Sequence, residues 1–244
     1  MKALLVTGTD TGVGKTFVTC GLAAALRVRG LRVGVMKPAE TGCARRNGVL
    51  EPEDAARLKL YSGCELPLDE ICPYRFSAPR APWVAAQEEH IEIELSRLTE
   101  VYRKIQASHD ITLVEGAGGL LVPLRRDFHY ADLAGEWNLP VLVVTTSKLG
   151  TLNHTALTLS YLRQAGLGTV GYVVNTHEPT PPELAASNLE TLRALTPESC
   201  LGQVPHQNNF NWGNAPIEQL AALFEASLNW KELGKELALD LPAE

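Results

Sequence analysis

The stretch Leu4-Leu5-Val6-Thr7-Gly8-Thr9-Asp10-Thr11-Gly12-Val13-Gly14-Lys15-Thr16 sets the architecture of this chain. An apolar run of strand character ends in a glycine-rich loop, and the loop ends in Gly14-Lys15-Thr16 at the head of a helical stretch. Such a loop gathers backbone N–H groups around one point, and the following helix adds its positive N-terminal end, which makes a cradle for phosphate. Lys15 then reaches the β- and γ-phosphates, and the Thr16 hydroxyl joins a Mg2+ coordination sphere. The spacing departs from the usual phosphate-loop pattern. Counted back from Gly14, the first glycine position holds Thr9, and Gly8 lies one residue early.

Outward from the loop, residues 15–29 read as an apolar helix stopped by Gly30, and Leu31–Met36 as a strand that delivers Lys37-Pro38. Residues 39–51 read as a polar loop, after which Pro52-Glu53-Asp54 opens a helix through Tyr61, with proline at its first position. Pro67, Pro73, Pro79 and Pro82 break residues 62–93 into an excursion with a short helix near Trp83–Glu88. Then come a helix over 94–108, a strand Ile111–Val114 ending in Glu115-Gly116-Ala117-Gly118-Gly119, and a short helix over 130–137. The strand Pro140–Thr145, helix 151–165, strand Thr169–Val174 with Asn175, helix 182–195, strand Leu201–Val204 and helix 215–230 follow. The strands are continuous apolar runs alternating with helices, the pattern of a parallel sheet covered on both faces. The expectation is a single-domain α/β P-loop NTPase-like fold over residues 1–230, and a polar tail over 231–244 that is frayed or lightly docked.

At 244 residues with 45% hydrophobic and 20% charged residues, the composition is that of an ordinary globular domain. A net charge of −6 argues against a broad nucleic-acid or anionic-membrane surface. No apolar run approaches the about 18 residues of a membrane span, and residues 1–7 do not make a signal peptide, so a cytoplasmic protein is expected. The five cysteines and six histidines are scattered without zinc or disulfide spacing, and no transition-metal site is expected.

Ligands of an open parallel sheet bind outside the carboxyl ends of its strands. Those ends carry Lys15 and Thr16, Lys37, Glu115, Lys148 and Asn175, with Asp54 on the helix after the second strand. Lys37 reads either as a snorkelling lysine or as a second cation for an anion beyond the triphosphate. Asp54 on its own reads as a surface acid at a helix N-terminus, beside Glu51 and Glu53. Glu115, an acid closing an apolar strand before Gly116, Gly118 and Gly119, reads as the second NTPase element, which holds Mg2+ directly or through water. The N–H groups of residues 150–153 suit a carboxylate, and Ser147 or Thr151 suits a helix cap; both readings stand together. Asn175 reads as a reader of the adenine edge or as a turn residue.

Taken together, GTDTGVGKT at 8–16, KPAETG at 37–42, Asp54, VEGAGG at 114–119, KLGTLNH at 148–154, VVN at 173–175 and the Gly202-x-x-Pro205 turn resemble the ATP-dependent dethiobiotin synthetases. The resemblance implies a homodimeric ligase of biotin biosynthesis with its active sites at the interface, no nucleic acid and no membrane. It implies ATP as co-substrate, Mg2+ as cofactor, and a small-molecule substrate, diaminopelargonic acid, carboxylated by CO2 and closed to a cyclic urea through a carbamate and a carbamic–phosphoric anhydride. By resemblance Lys15, Lys37 and Thr11 serve catalysis; Thr41, Gly150 and Asn153 take the substrate, the last two from the other subunit. Thr16, Asp54 and Glu115 hold the metal. Gly12, Val13, Gly14, Lys15, Thr16, Phe17, Gly116, Ala117 and Gly118 line the phosphates, while Asn175, Thr176, Pro205, His206 and Gln207 flank the adenine. Thr41 stands where serine is common, Gly12 where some members carry glutamate, and Asn188 near where some place a carboxylate-binding tyrosine. The rival from another class is a partition-type ATPase switch, whose extra loop lysine is replaced here by Asp10.

Overall fold

The computed structural model describes residues 2–208, 210–211 and 215–239. A six-stranded parallel sheet comprises β1 (Lys2–Gly8), β2 (Val33–Met36), β3 (Ile111–Gly119), β4 (Val141–Thr146), β5 (Thr169–Asn175) and β6 (Cys200–Val204). Around it lie α1 (Lys15–Val28), α2 (Glu53–Ser62), α3 (Leu95–Ser108), α4 (Thr151–Gln164), α5 (Pro182–Leu195), α6 (Ile217–Ser227) and α7 (Trp230–Glu236). The strand order is β6-β5-β4-β1-β3-β2. The chain fills the β3 and β2 side of β1 first and then crosses to β4, β5 and β6. That reversal opens a crevice at the carboxyl end of β1, where the phosphate loop begins.

Every residue of β1 after Lys2 is buried, because the sheet is covered on both sides. Leu4 and Val6 face a core shared with Leu22 of α1, Leu58 of α2, Phe224 of α6 and Leu233 of α7. Leu5 faces the opposite core with Leu98 and Ile105 of α3, Leu159 of α4 and Leu192 of α5. This two-sided burial is why the strands read as continuous apolar runs.

Four local expectations are corrected. β3 does not stop at Val114: it runs through Glu115 to Gly119 and pairs Val6 with Glu115 and Gly8 with Gly119, with a register shift between. Within the expected loop 39–51, Ala39–Glu40 pairs with Tyr74–Arg75, and Ala44–Arg46 pairs antiparallel with Val49–Glu51. Pro52 is the N-cap of α2 and not its first helical residue. The expected helix 215–230 breaks after Ser227, because Leu228 turns extended and bridges Gly202 on the edge strand β6. Asn229 then starts α7, its side chain accepting from Glu232 N at 3.0 Å.

Of the two expectations for the tail, residues 231–239 take docking and not fraying. Trp230, Leu233 and Leu237 are buried in the α1–α6 core, and Trp230 Nε1 donates to Phe224 O at 3.2 Å. The expected tail also includes residues 240–244, which lie outside the described residues. Leu233→Ala is expected to lower unfolding free energy in urea by about 2–5 kcal/mol, as for a buried leucine. A change under about 0.5 kcal/mol, the value for a surface site, would return this segment to a loosely held tail.

Candidate active site

The phosphate loop is held by backbone geometry before any charge is considered. Thr9 N donates to Val144 O at 2.9 Å, tying the loop to β4. A Cβ on Gly8 would lie 2.7 Å from Asp10 O and 2.9 Å from Val13 Cγ2. Gly8 thus supplies the close approach that the usual first glycine gives, and Thr9 needs no glycine conformation. Gly14 has φ +84, and a Cβ there would strike Asn175 Nδ2 at 2.1 Å. That same Nδ2 donates to Val13 O at 2.9 Å. The last residue of β5 therefore clamps the loop, a role that neither sequence reading of Asn175 contained.

Lys15 and Lys37 are both buried at the crevice. Lys15 Nζ donates to Asp10 O at 3.4 Å. Burial, joined by repulsion from Lys37, lowers the Lys15 ammonium to about 8. Lys37 Nζ donates to Glu115 Oε1 at 2.5 Å and to Asp54 Oδ2 at 2.9 Å. Burial by itself would lower its pKa, but Glu115 and Asp54 outweigh burial and push it well above the usual lysine value. Burial would likewise raise Asp54, yet Lys37 holds it below the usual carboxylate range. Thr16 Oγ1 donates to Glu115 Oε1 at 2.9 Å. The structure thus brings Lys15, Thr16, Lys37, Asp54 and Glu115 from four separate segments into one cluster. Asp54 is a partner in it and not a solvated surface acid.

The cluster has the donor chemistry of a Mg2+ site. Glu115 is fully buried, and its Oε2 has no hydrogen-bond partner among the described residues. An orphaned carboxylate oxygen beside a threonine hydroxyl and a second carboxylate suits a hard cation. No group of three or more His, Cys, Asp or Glu side chains among the described residues is placed to hold a metal ion by itself. Mg2+ needs no such cage when one or two carboxylates act with substrate phosphates.

Glu40 was missed by sequence reasoning. It is buried, and its Oε1 and Oε2 accept from Asp54 N at 2.9 Å and Ala55 N at 3.0 Å. The one signal in the sequence was a charged residue between Lys37 and Thr41 in a run that otherwise serves the site. Thr41 follows it, half-buried, and Thr11 is exposed with its hydroxyl beside Gly118. Gly116, Ala117 and Gly118 continue β3 past Glu115. Phe17 points elsewhere: its ring meets Phe210 at 5.0 Å and Phe224 at 5.7 Å, both edge-on, so any phosphate contact falls to its backbone.

At the other side of the crevice, Thr176 N donates to Val204 O at 2.9 Å, and His206 Nδ1 lies 3.2 Å from Thr176 O. Gln207 Nε2 donates to Pro205 O at 3.3 Å, so Asn175, Thr176 and residues 205–207 form one lip. The start of α4 is capped by neither Ser147 nor Thr151. Gly150 is the N-cap, with φ 95 and no side-chain cap bond. Ser147 Oγ instead donates to Thr180 Oγ1 at 3.1 Å, and Thr151 Oγ1 to Thr146 O at 2.6 Å. Gly150 and Asn153 are exposed. Asn188 lies behind them, buried, with Nδ2 donating to Ser147 O at 2.9 Å. It supports this turn from behind and does not reach outward as a tyrosine would.

Known proteins share this chain's sequence and fold. Residues 2–213 match the model of a family described as an AAA domain. The chain is 47% identical over 205 residues to the ATP-dependent dethiobiotin synthetase BioD of Anaeromyxobacter sp. strain K, covering 84% of this chain and 90% of that protein. It is 39% identical over 220 residues to the protein of the same name from Thermodesulfovibrio yellowstonii, covering 86% and 92%. Among solved structures, the Aquifex aeolicus cell division protein MinD superposes with a TM-score of 0.55 at 14% identity, each chain covered completely. The Pyrococcus furiosus cell division ATPase MinD gives 0.52 at 18%, covering 98% of this chain and 99% of that one. These two share the P-loop NTPase fold alone, whereas the sequence relatives give the family: the chain belongs to the ATP-dependent dethiobiotin synthetases.

Proposed function

We propose that this protein uses ATP to carboxylate diaminopelargonic acid with CO2 and to close the cyclic urea of dethiobiotin. The observation that carries the reading is the pair of buried cations, Lys15 and Lys37, at the carboxyl end of β1. Family membership supplies the substrate. One amine adds to CO2 and loses a proton, giving a carbamate. A carbamate oxygen then attacks the γ-phosphorus, and the bond to the leaving ADP breaks. The second amine attacks the carbonyl carbon of the mixed anhydride, loses its proton, and phosphate leaves as the ring closes.

Two anions must meet before the second step, so the protein's task is positioning and charge neutralisation. In this reading Lys15 covers the γ-phosphate and Lys37 the carbamate, with the hydroxyls of Thr11 and Thr41 beside the substrate. Thr16, Asp54 and Glu115 would hold Mg2+, which when bound neutralises charge on the transferring phosphoryl group. Gly12 to Phe17 and Gly116 to Gly118 would surround the phosphates. Asn175, with one amide hydrogen committed to Val13, would turn its remaining polar atoms to the adenine, between Thr176 and residues 205–207.

The active unit in this proposal is a homodimer in the cytoplasm. Leu121, Leu149 and Leu157 are exposed by 49%, 85% and 62%. Leu121 and Leu157 line one cavity with Gly8 and Thr9 of the loop. Exposed leucines beside the loop and the start of α4 suit a second copy whose Gly150–Asn153 turn receives the substrate carboxylate. No helix among the described residues is long and apolar enough to cross a membrane, and all five cysteines are free thiols. The partition-type switch has less support: Asp10 replaces the extra lysine and accepts from Thr11 N at 2.6 Å.

ADP release is expected to require both diaminopelargonic acid and bicarbonate, with labelled carbon entering an acid-stable product. ATP hydrolysis without substrate and without fixed carbon would overturn the enzyme reading in favour of the switch. Replacing Lys37 by glutamine should lower kcat by about 10²–10³-fold, the usual loss of one charge-stabilising group, with little change in ATP-analogue affinity. An unchanged kcat would remove Lys37 from the reaction. Leu157→Asp is expected to yield inactive monomers in sedimentation; an active monomer would refute the shared site.

A further inference from the structure

Helix α2 begins without a cap of its own. Pro52 makes no side-chain cap bond, and the first turn carries two acids, Glu53 and Asp54. The first-turn N–H groups need acceptors, and the side chain of a Ser, Thr, Asp or Asn at the N-cap ordinarily supplies one. Asp54 is not available for that purpose, because its carboxylate is turned to Lys37. Both acceptors come instead from one distant carboxylate, Glu40, through Asp54 N and Ala55 N.

Glu40 is itself held rigidly. It pairs with Arg75 in the short parallel ladder, and Phe76 N donates to its carbonyl oxygen at 2.9 Å. It sits between Lys37, which touches Asp54 directly, and the half-buried Thr41. The six-residue run 37–42 therefore meets Asp54 twice, once at the side-chain carboxylate and once at the backbone N–H. A hydroxyl cap would satisfy a single N–H. A bidentate carboxylate fixes both the position and the rotation of the first turn.

We propose that Glu40 is a positioning residue: by taking over the cap of α2 it frees Asp54 and aims its carboxylate into the metal and phosphate site. This rests on the reading that Asp54 helps to hold the divalent cation. The Glu40 side chain hydrogen-bonds to the first turn of α2 and not to Thr16, Lys37 or Glu115, so its positioning effect on the cluster passes through that turn and Asp54.

The test is Mn2+ binding, read by electron paramagnetic resonance, to the protein complexed with a non-hydrolysable ATP analogue. Glu40→Ala should raise the Mn2+ dissociation constant about tenfold, as loss of an outer-shell partner does. Glu40→Gln keeps one acceptor and should give a smaller rise; it also serves if the alanine variant does not fold. In an Asp54→Asn background, either change should add less than about twofold, because two residues acting through one contact are not additive. Equal fold-losses in both backgrounds, or an unchanged Mn2+ constant with only a lower Tm, would overturn the proposal and leave Glu40 a structural cap. A wild-type Mn2+ constant for Asp54→Asn alone would instead remove Asp54 from the metal site, and the role of Glu40 with it.

Discussion

The buried ammonium of Lys37 constrains everything around it. A charge taken fully out of water is tolerated only when it is paired and hydrogen-bonded. Its partners, Glu115 and Asp54, come from β3 and α2, so this one group requires the end of β2, the middle of β3 and the start of α2 to converge. Breaking such a buried pair from one side costs about 3–5 kcal/mol, since the other charge is left behind. Lys37, proposed above to neutralise the carbamate, is thus also a structural cation.

The loop depends on a different kind of contact. Its shape is fixed by backbone approach, with Gly8 against Asp10 and Val13, and Gly14 against Asn175. Asn175 stands at the end of β5, two strands away from β1 in the sheet. A loop anchored by the end of β5 cannot shift independently of the lip formed by Thr176 and residues 205–207. The phosphate loop and that lip are joined through one side-chain amide.

A third connection runs to the start of α4 through hydroxyls. Thr9 Oγ1 donates to Thr145 Oγ1 at 3.3 Å, and Thr145 lies 2.8 Å from Thr151 Oγ1 and 2.7 Å from Thr155 Oγ1. This chain is buried from Thr145 onward, so each hydroxyl must find its partner within the protein. With Asn188 behind the turn, it sets the exposed Gly150–Asn153 segment in a fixed relation to the phosphate loop. In the proposed dimer, that links one protomer's nucleotide site to the carboxylate site it offers its partner.

The amino-acid sequence by itself determined the class of fold, since continuous apolar runs alternating with helices pack only as a covered parallel sheet. It also determined the phosphate loop and the chemistry at the strand ends, because Gly14-Lys15-Thr16, Lys37 and Glu115 sit where local periodicity changes. Tertiary structure decided what depends on contacts distant in sequence. By local sequence Asp54 reads as a surface acid, and only the resemblance makes it a metal ligand, until Lys37 stands 2.9 Å away; Glu40 has no visible task until α2 begins over its carboxylate. Asn175 is a turn residue or a base reader in sequence and a clamp on Val13 in space. The break between α6 and α7 was equally hidden, because it is set by Leu228 bridging Gly202 on the edge strand. Local propensity carries no record of such pairings; only the closed packing of the chain creates them.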